Sequence, residues 1–174
     1  MILGTLEWVP ALDRPDLLAD PVARAVRESG VEAWVAEIDP ALADTAAFCE
    51  RYGVTMTESA NCVVVAAKRG GETRHAACMV PADRRADING VVRRHLDARK
   101  TSFAPMDSAV EMTGMEYGGI TPLGLPGEWP LLVDAAVAEH PCVVIGSGVR
   151  RSKLAVSGAV LAGLKQAEVL ALTV

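Results

Sequence analysis

A chain of 174 residues, 51% hydrophobic, has the length of one ordinary domain and enough apolar content for a single large core. Its net charge of −5 argues against broad coating of a nucleic-acid backbone, which takes an excess of basic groups, and leaves room for a small local contact. No apolar run reaches the roughly 18 to 20 residues that span a bilayer, and Met1 to Pro10 lacks the basic start and apolar stretch of a secretion signal, so the expectation is a soluble cytoplasmic protein with no membrane partner.

Aromatic residues make up only 4% of the chain while Ala and Val abound, which favours a mixed α and β architecture with a core of small and β-branched side chains. In chain order, Asp20-Pro21 followed by Val22, Ala25 and Val26 reads as a helix start and an apolar stripe, ended by Gly30. Ala33 to Ile38 reads as a strand, and Asp39-Pro40 restarts a helix through Leu42, Ala46 and Ala47 to about Gly53. Asn61 to Ala67 and Arg74 to Val80, joined by Lys68-Arg69-Gly70-Gly71, form a buried hairpin. Asp87 to Leu96 predicts a helix, Lys100 to Phe103 a short strand, and Pro105-Met106-Asp107 a helix that stops at Gly114.

From Tyr117 to Pro130 glycines and prolines enforce an irregular loop. Strands at Leu131 to Val133, Cys142 to Ile145 and Lys153 to Val156, a short helix from Gly158 to Leu164 and a last strand at Val169 to Leu172 complete the chain. The hairpin strands, Leu131 to Val133 and Cys142 to Ile145 are each too apolar to be exposed and are expected to share one sheet.

Cys49, Cys62, Cys78 and Cys142 are scattered without a CxxC pair, and His75, His95 and His140 have no ligand spacing, so core thiols and no metal or other cofactor are expected. There is no GxSxG elbow and no nucleophilic Cys/His pair. An enzyme built on this chain would work by positioning and backbone electrostatics. Two segments suit that. Gly118 to Pro126 combines glycines that can present N–H groups at close range with prolines that fix the backbone, although a rigid crossover would have the same composition. Gly146-Ser147-Gly148 follows a buried strand without the spacing of a Walker or dinucleotide loop, and reads either as a donor turn or as a tight connection. Asp134 could hydrogen-bond a ribose or a loop amide, or cap a helix from Ala135. Arg84-Arg85, Arg93-Arg94, Arg99-Lys100 and Arg150-Arg151 could form a basic rim, or be plain surface charge.

The order and spacing of Lys100 to Ala104, Val110 to Gly114, Gly118 to Pro126, Leu132-Val133-Asp134, and Val143 to Gly148 with Lys153-Leu154 resemble the YbaK/EbsC family of aminoacyl-tRNA deacylases, over residues 61 to 174. The resemblance implies a compact α+β fold, a single domain over residues 1 to 174 with a curved mixed sheet flanked by helices. It implies a partner, the acceptor end of aminoacyl-tRNA, with a synthetase as a further partner and no DNA, and kinship to the editing insertion of bacterial prolyl-tRNA synthetases. The reaction implied is hydrolysis, in trans, of the ester to the terminal ribose, helped by a neighbouring ribose hydroxyl, in a pocket bordered by Gly118-x-x-x-Pro122. By that likeness Asn61, Gly118 and Gly119 are the catalytic positions, and Ile120, Thr121, Pro122, Asp134, Gly146, Ser147 and Gly148 contact substrate.

The chain departs from the family at one point. Relatives carry a Lys at the start of the strand matching Asn61 to Ala67, where this chain reads Ser59-Ala60-Asn61-Cys62-Val63. Either Asn61 or Ala60 stands in its place. An Asn can donate a hydrogen bond but brings no charge, which keeps open an inactive aminoacyl-tRNA or synthetase binding module, and, outside the family, a metabolite-binding domain.

Overall fold

The computed structural model describes residues 2–174. Strands β1 (Ile2–Leu3) and β2 (Leu6–Glu7) form a small ribbon, and β3 (Val9–Pro10) leads through two short 3-10 turns into helix α1 (Asp20–Ser29). Pro21 sits in the first turn of α1, Val22, Ala23 and Val26 face the core, and Gly30 ends the helix with a left-handed φ of 67°. Strand β4 (Trp34–Glu37) follows.

The single helix expected from Asp39 to Gly53 is two pieces. A 3-10 turn at Pro40–Leu42 is capped by the Asp39 side chain, and α2 (Thr45–Tyr52) begins only after Asp44, whose backbone is extended. The break frees the Ala43 carbonyl and turns it toward the interior, where it has a use described below.

Strands β5 (Ala60–Arg69) and β6 (Glu72–Pro81) pair over their full length around Gly70 and Gly71, both at positive φ as a two-residue hairpin turn requires. The helix expected from Asp87 to Leu96 is a wide π turn at Ile88–Val92 that tightens into α3 (Arg93–His95). The Asp87 carboxylate accepts from the Gly90 and Val91 N–H groups, and these side-chain bonds set the wide opening turn. Then come β7 (Lys100–Phe103), α4 (Met106–Thr113), β8 (Leu131–Asp134), α5 (Ala135–Ala138), β9 (Val143–Gly146), β10 (Ser152–Val156), α6 (Gly158–Ala162) and β11 (Ala167–Leu170).

The fold is α+β, with two main sheets where one was expected. The five-stranded sheet runs β11-β8-β6-β5-β7 and the four-stranded sheet β3-β4-β10-β9. The first is mixed, with β8 parallel to both β11 and β6. The hairpin and Leu131 to Val133 share it, but the strand at Cys142 to Ile145 belongs to the other sheet. Apolarity reports that a strand is buried and says nothing of its partner, and the tight turn after Gly146 pairs β9 with β10. The sheets meet where Ser59, just before β5, bridges Val144 in parallel. One core spans the seam, joining Val64, Met79 and Leu131 of the larger sheet to Val35, Ile145 and Leu154 of the smaller, with Val22 and Val26 of α1.

Candidate active site at the seam of the two sheets

Beyond the Ser59–Val144 bridge the sheets part, and a cavity of about 560 Å³ opens between them. Two residues past the bridge on either side stand Asn61 and Gly146, and Gly146 is the ladder partner of Lys153 on β10. The start of α2 and the segment before it close one wall through Ala43, Asp44, Thr45 and Phe48. Tyr117, Gly118, Ile120 and Arg150 form the wall opposite.

Asn61 is held in one orientation, because Thr45 Oγ1 donates to its Oδ1 at 2.8 Å. The amide NH2 has no protein partner among the described residues, and it is free to serve a ligand. Lys153 is 7% exposed, in a strand whose five residues are all buried. Its Nζ donates to the Ala43 carbonyl at 2.8 Å, made available by the helix break, and lies 5.4 Å from the Phe48 ring centroid. Burial brings the Lys153 ammonium down to about 8, the Arg150 charge pushes the same way, and Cys49 and Asp44 oppose the change. Cys62 also lines the cavity, but burial drives its thiol far above the ordinary range, so it stays protonated and is no nucleophile.

Arg150 straps the mouth of the cavity. Its backbone N–H donates to the Glu116 carboxylate at 2.8 Å, and its guanidinium to the carbonyls of Tyr117 at 3.2 Å and Pro40 at 3.1 Å. The Tyr117 ring, 55% exposed, lies with its centroid 6.0 Å from Arg150 Cζ. Of the other basic pairs singled out in the sequence, none lines the cavity.

Within the glycine-proline loop the N–H groups divide by position. Gly119 is buried, donates to the Glu116 carbonyl at 2.9 Å, and accepts from the Gly148 N–H at 2.7 Å. Thr121 is fully buried and its N–H points at Met115 Sδ, 3.4 Å away. Gly118 and Ile120 make no such bonds among the described residues, and these two line the cavity. Pro122 borders a separate groove beside Arg24 and Leu164.

Of the residues the resemblance singled out, Asn61, Gly118, Ile120 and Gly146 therefore come together in the cavity wall, while Gly119, Thr121, Pro122, Asp134, Ser147 and Gly148 do not line it. Several of these have structural bonds instead. Asp134 caps α5 by accepting from the Ala136 N–H and also accepts from the Leu172 N–H at 2.9 Å. Ser147 Oγ is fully engaged with the carbonyls of Val149 and Ser152 and the Ser152 hydroxyl. Gly148 lets its backbone pass under Ala19 and Val22, where a Cβ would collide.

Sequence reading missed Thr45 and Lys153. Thr45 carries no signal, being an ordinary helix-start residue. Lys153 carried a weak one: it adjoins the apolar run Leu154-Ala155-Val156, but it follows Arg150-Arg151-Ser152 and so reads as the end of a polar turn.

A family model, the aminoacyl-tRNA editing domain, matches residues 39–164, a stretch that includes every residue lining the cavity. The chain belongs to this family. Among solved structures the editing domain is similar to the hypothetical protein APE2540, with a TM-score of 0.79 and 22% identity over 89% of this chain and 100% of that one. It is also similar to a protein described as a candidate trans-editing enzyme for prolyl tRNA synthetase, with a TM-score of 0.75 and 21% identity over 90% of this chain and 96% of that one. Both are likenesses of fold. No curated protein sequence matches the chain. Among the described residues no helix is long and apolar enough to cross a membrane, and no cluster of His, Cys, Asp and Glu could hold a metal ion.

Proposed function

We propose that this editing domain hydrolyses, in trans, the ester between a misattached amino acid and the terminal ribose of tRNA in the seam cavity. The observation that carries the reading is the Asn61 amide, fixed by Thr45 in a cavity also lined by Gly118 and Ile120, whose N–H groups have no partner among the described residues. Preorganised neutral donors of this kind stabilise charge that develops on an ester carbonyl oxygen without reorganising during the reaction. The cavity volume is within the range of small-molecule sites, roughly 300 to 1,000 Å³. It suits an aminoacyl group with its ribose. The exposed Tyr117 ring backed by Arg150 offers a face on which the terminal base can stack. Burial keeps the Cys62 thiol in the cavity protonated, and in this reading the attacking water takes its activation from the neighbouring ribose hydroxyl of the substrate itself.

A second reading rests on one observation, that Ala60 and Asn61 stand at the start of β5 with no lysine there: a module that holds the aminoacyl end without cleaving it. A panel of correctly and incorrectly charged tRNAs, scored for released amino acid, separates the two. Release from at least one mischarged tRNA above the spontaneous rate supports the hydrolase. Saturable binding with no release from any member overturns it in favour of the binding module.

A further inference from the structure

Lys153 is an unusual expense in a buried strand. An ammonium out of water costs several kcal/mol unless a carboxylate compensates it, and among the described residues no carboxylate lies within ion-pairing distance. One proton of the three is used on the Ala43 carbonyl. The remaining donors belong to the cavity that Lys153 lines. Replacement of this residue by a long apolar side chain would relieve the cost, so the charge is explained by what enters the cavity.

The geometry narrows that ligand. Lys153 is tied to Ala43 and Asn61 to Thr45, so one short segment anchors both donors and aims them at one region. Gly146 stands between them on β9 without a side chain to intervene. Arg150 and Tyr117, by contrast, lie at the more exposed lip. A phosphate of the tRNA chain would meet the lip first. The buried position is that of the aminoacyl carbonyl.

Resting on the hydrolase reading above, we propose that Lys153, reaching in from β10, is the cationic group of this site and binds the oxyanion formed when water attacks the aminoacyl ester. The charge missing at the start of β5 is thereby supplied from β10. In the step, the water oxygen bonds to the carbonyl carbon while the carbonyl π pair moves onto oxygen. Collapse breaks the bond from carbon to the ribose oxygen, which receives the proton lost by water. Lys153 donates hydrogen bonds throughout and keeps its protons.

The test uses the full chain and Lys153→Met, with Lys153→Gln in reserve should the first fail to fold. On a tRNA that the wild type deacylates, kcat is expected to fall roughly 100- to 1,000-fold, as for loss of one oxyanion donor, with KM within about threefold and the melting temperature equal to or above wild type. Binding of two adenosine derivatives supplies the second readout. A neutral 3′-aminoacylamide should bind both proteins about equally, and an anionic tetrahedral phosphonate should lose on the order of 100-fold with the variant. An unchanged kcat, equal losses for both ligands, or no binding of the phosphonate by wild type overturns the inference. If wild type releases no amino acid from any tRNA while the phosphonate still depends on Lys153, the anion site stands and the hydrolase reading falls.

Discussion

Asn61 and Thr45 form a hydrogen-bonded unit, and in the proposed reaction the first acts while the second aims it. Asn61→Ala should lower deacylation by roughly ten- to a thousandfold, the upper end being the loss typical of one oxyanion-hole donor, with folding nearly untouched because the side chain is only half-buried. Thr45→Val keeps the shape of the wall but lets the amide rotate, so a smaller loss in kcat is expected from single-turnover rates. Equal rates in wild type and Asn61→Ala would move the chemistry to the Gly118 and Ile120 backbone. Lys153 makes a separate prediction about stability. Its folded value of about 8 lies below the ordinary lysine value of 10.5, so between these limits the unfolded chain binds more protons than the folded one and stability rises with pH. The cost, on the order of 3 kcal/mol for this difference, is fully present below about pH 8 and is relieved as pH climbs toward 10.5. The groups that act on it are Cys49, Asp44 and Arg150. Urea unfolding of wild type and Lys153→Met across pH 7 to 10.5 should show a relative gain for wild type, and parallel curves would contradict it.

At the scale of elements, the loop and the turn form one piece. The Gly119 carbonyl accepts from the Gly148 N–H, and a Cβ on Gly146 would stand 2.5 Å from that same carbonyl oxygen. Gly146→Ala must therefore push the loop off the cavity wall. A loss of about 1 to 3 kcal/mol in stability is expected, together with at least tenfold lower deacylation, measured by melting and by kcat/KM. Asp134 tests the opposite case, a residue whose bonds hold elements together. It satisfies the Ala136 N–H at the start of α5 and the buried Leu172 N–H after β11. Asp134→Ala should cost about 2 to 4 kcal/mol, the sum of a lost cap and an orphaned buried donor, with KM preserved at a temperature where the variant is folded. A raised KM in a variant of normal stability would instead give Asp134 a role in substrate binding.

For the molecule as a whole, the seam matters because the shared core and the candidate site both lie along it. Side chains of the two sheets interleave in one apolar cluster, so neither sheet retains its packing without the other. Trp8 and Trp34 belong to the smaller sheet and the cluster behind it, and Trp129 packs into the shared core beside His75. A chain of single tryptophans at each of these positions should unfold in urea with coincident midpoints, as one cooperative unit. Separate midpoints would divide the chain into two folding units. The same arrangement explains why the cavity depends on the fold: its donors come from β5, from β10 and from the loop after α4, which meet only in the folded chain.

Much of the local structure was legible from the residues themselves. Gly30, Gly53 and Gly114 mark the ends of α1, α2 and α4 because each adopts the left-handed conformation that only Gly takes freely. The long hairpin followed from its Val-rich runs and paired glycines, and the order and spacing of short motifs along the second half indicated the editing family, whose model match includes them up to residue 164. What the sequence left open was partnership. It assigned β9 to the wrong sheet and joined α2 to the turn before it. Side-chain polarity records whether a residue is buried, whereas the approach of β9 to β5 and the bond from Lys153 to the freed Ala43 carbonyl join residues 85 and 110 positions apart. Only the tertiary structure places Asn61, Thr45, Gly118 and Lys153 around one cavity, since no local propensity couples segments that meet only when both sheets have closed on their common core.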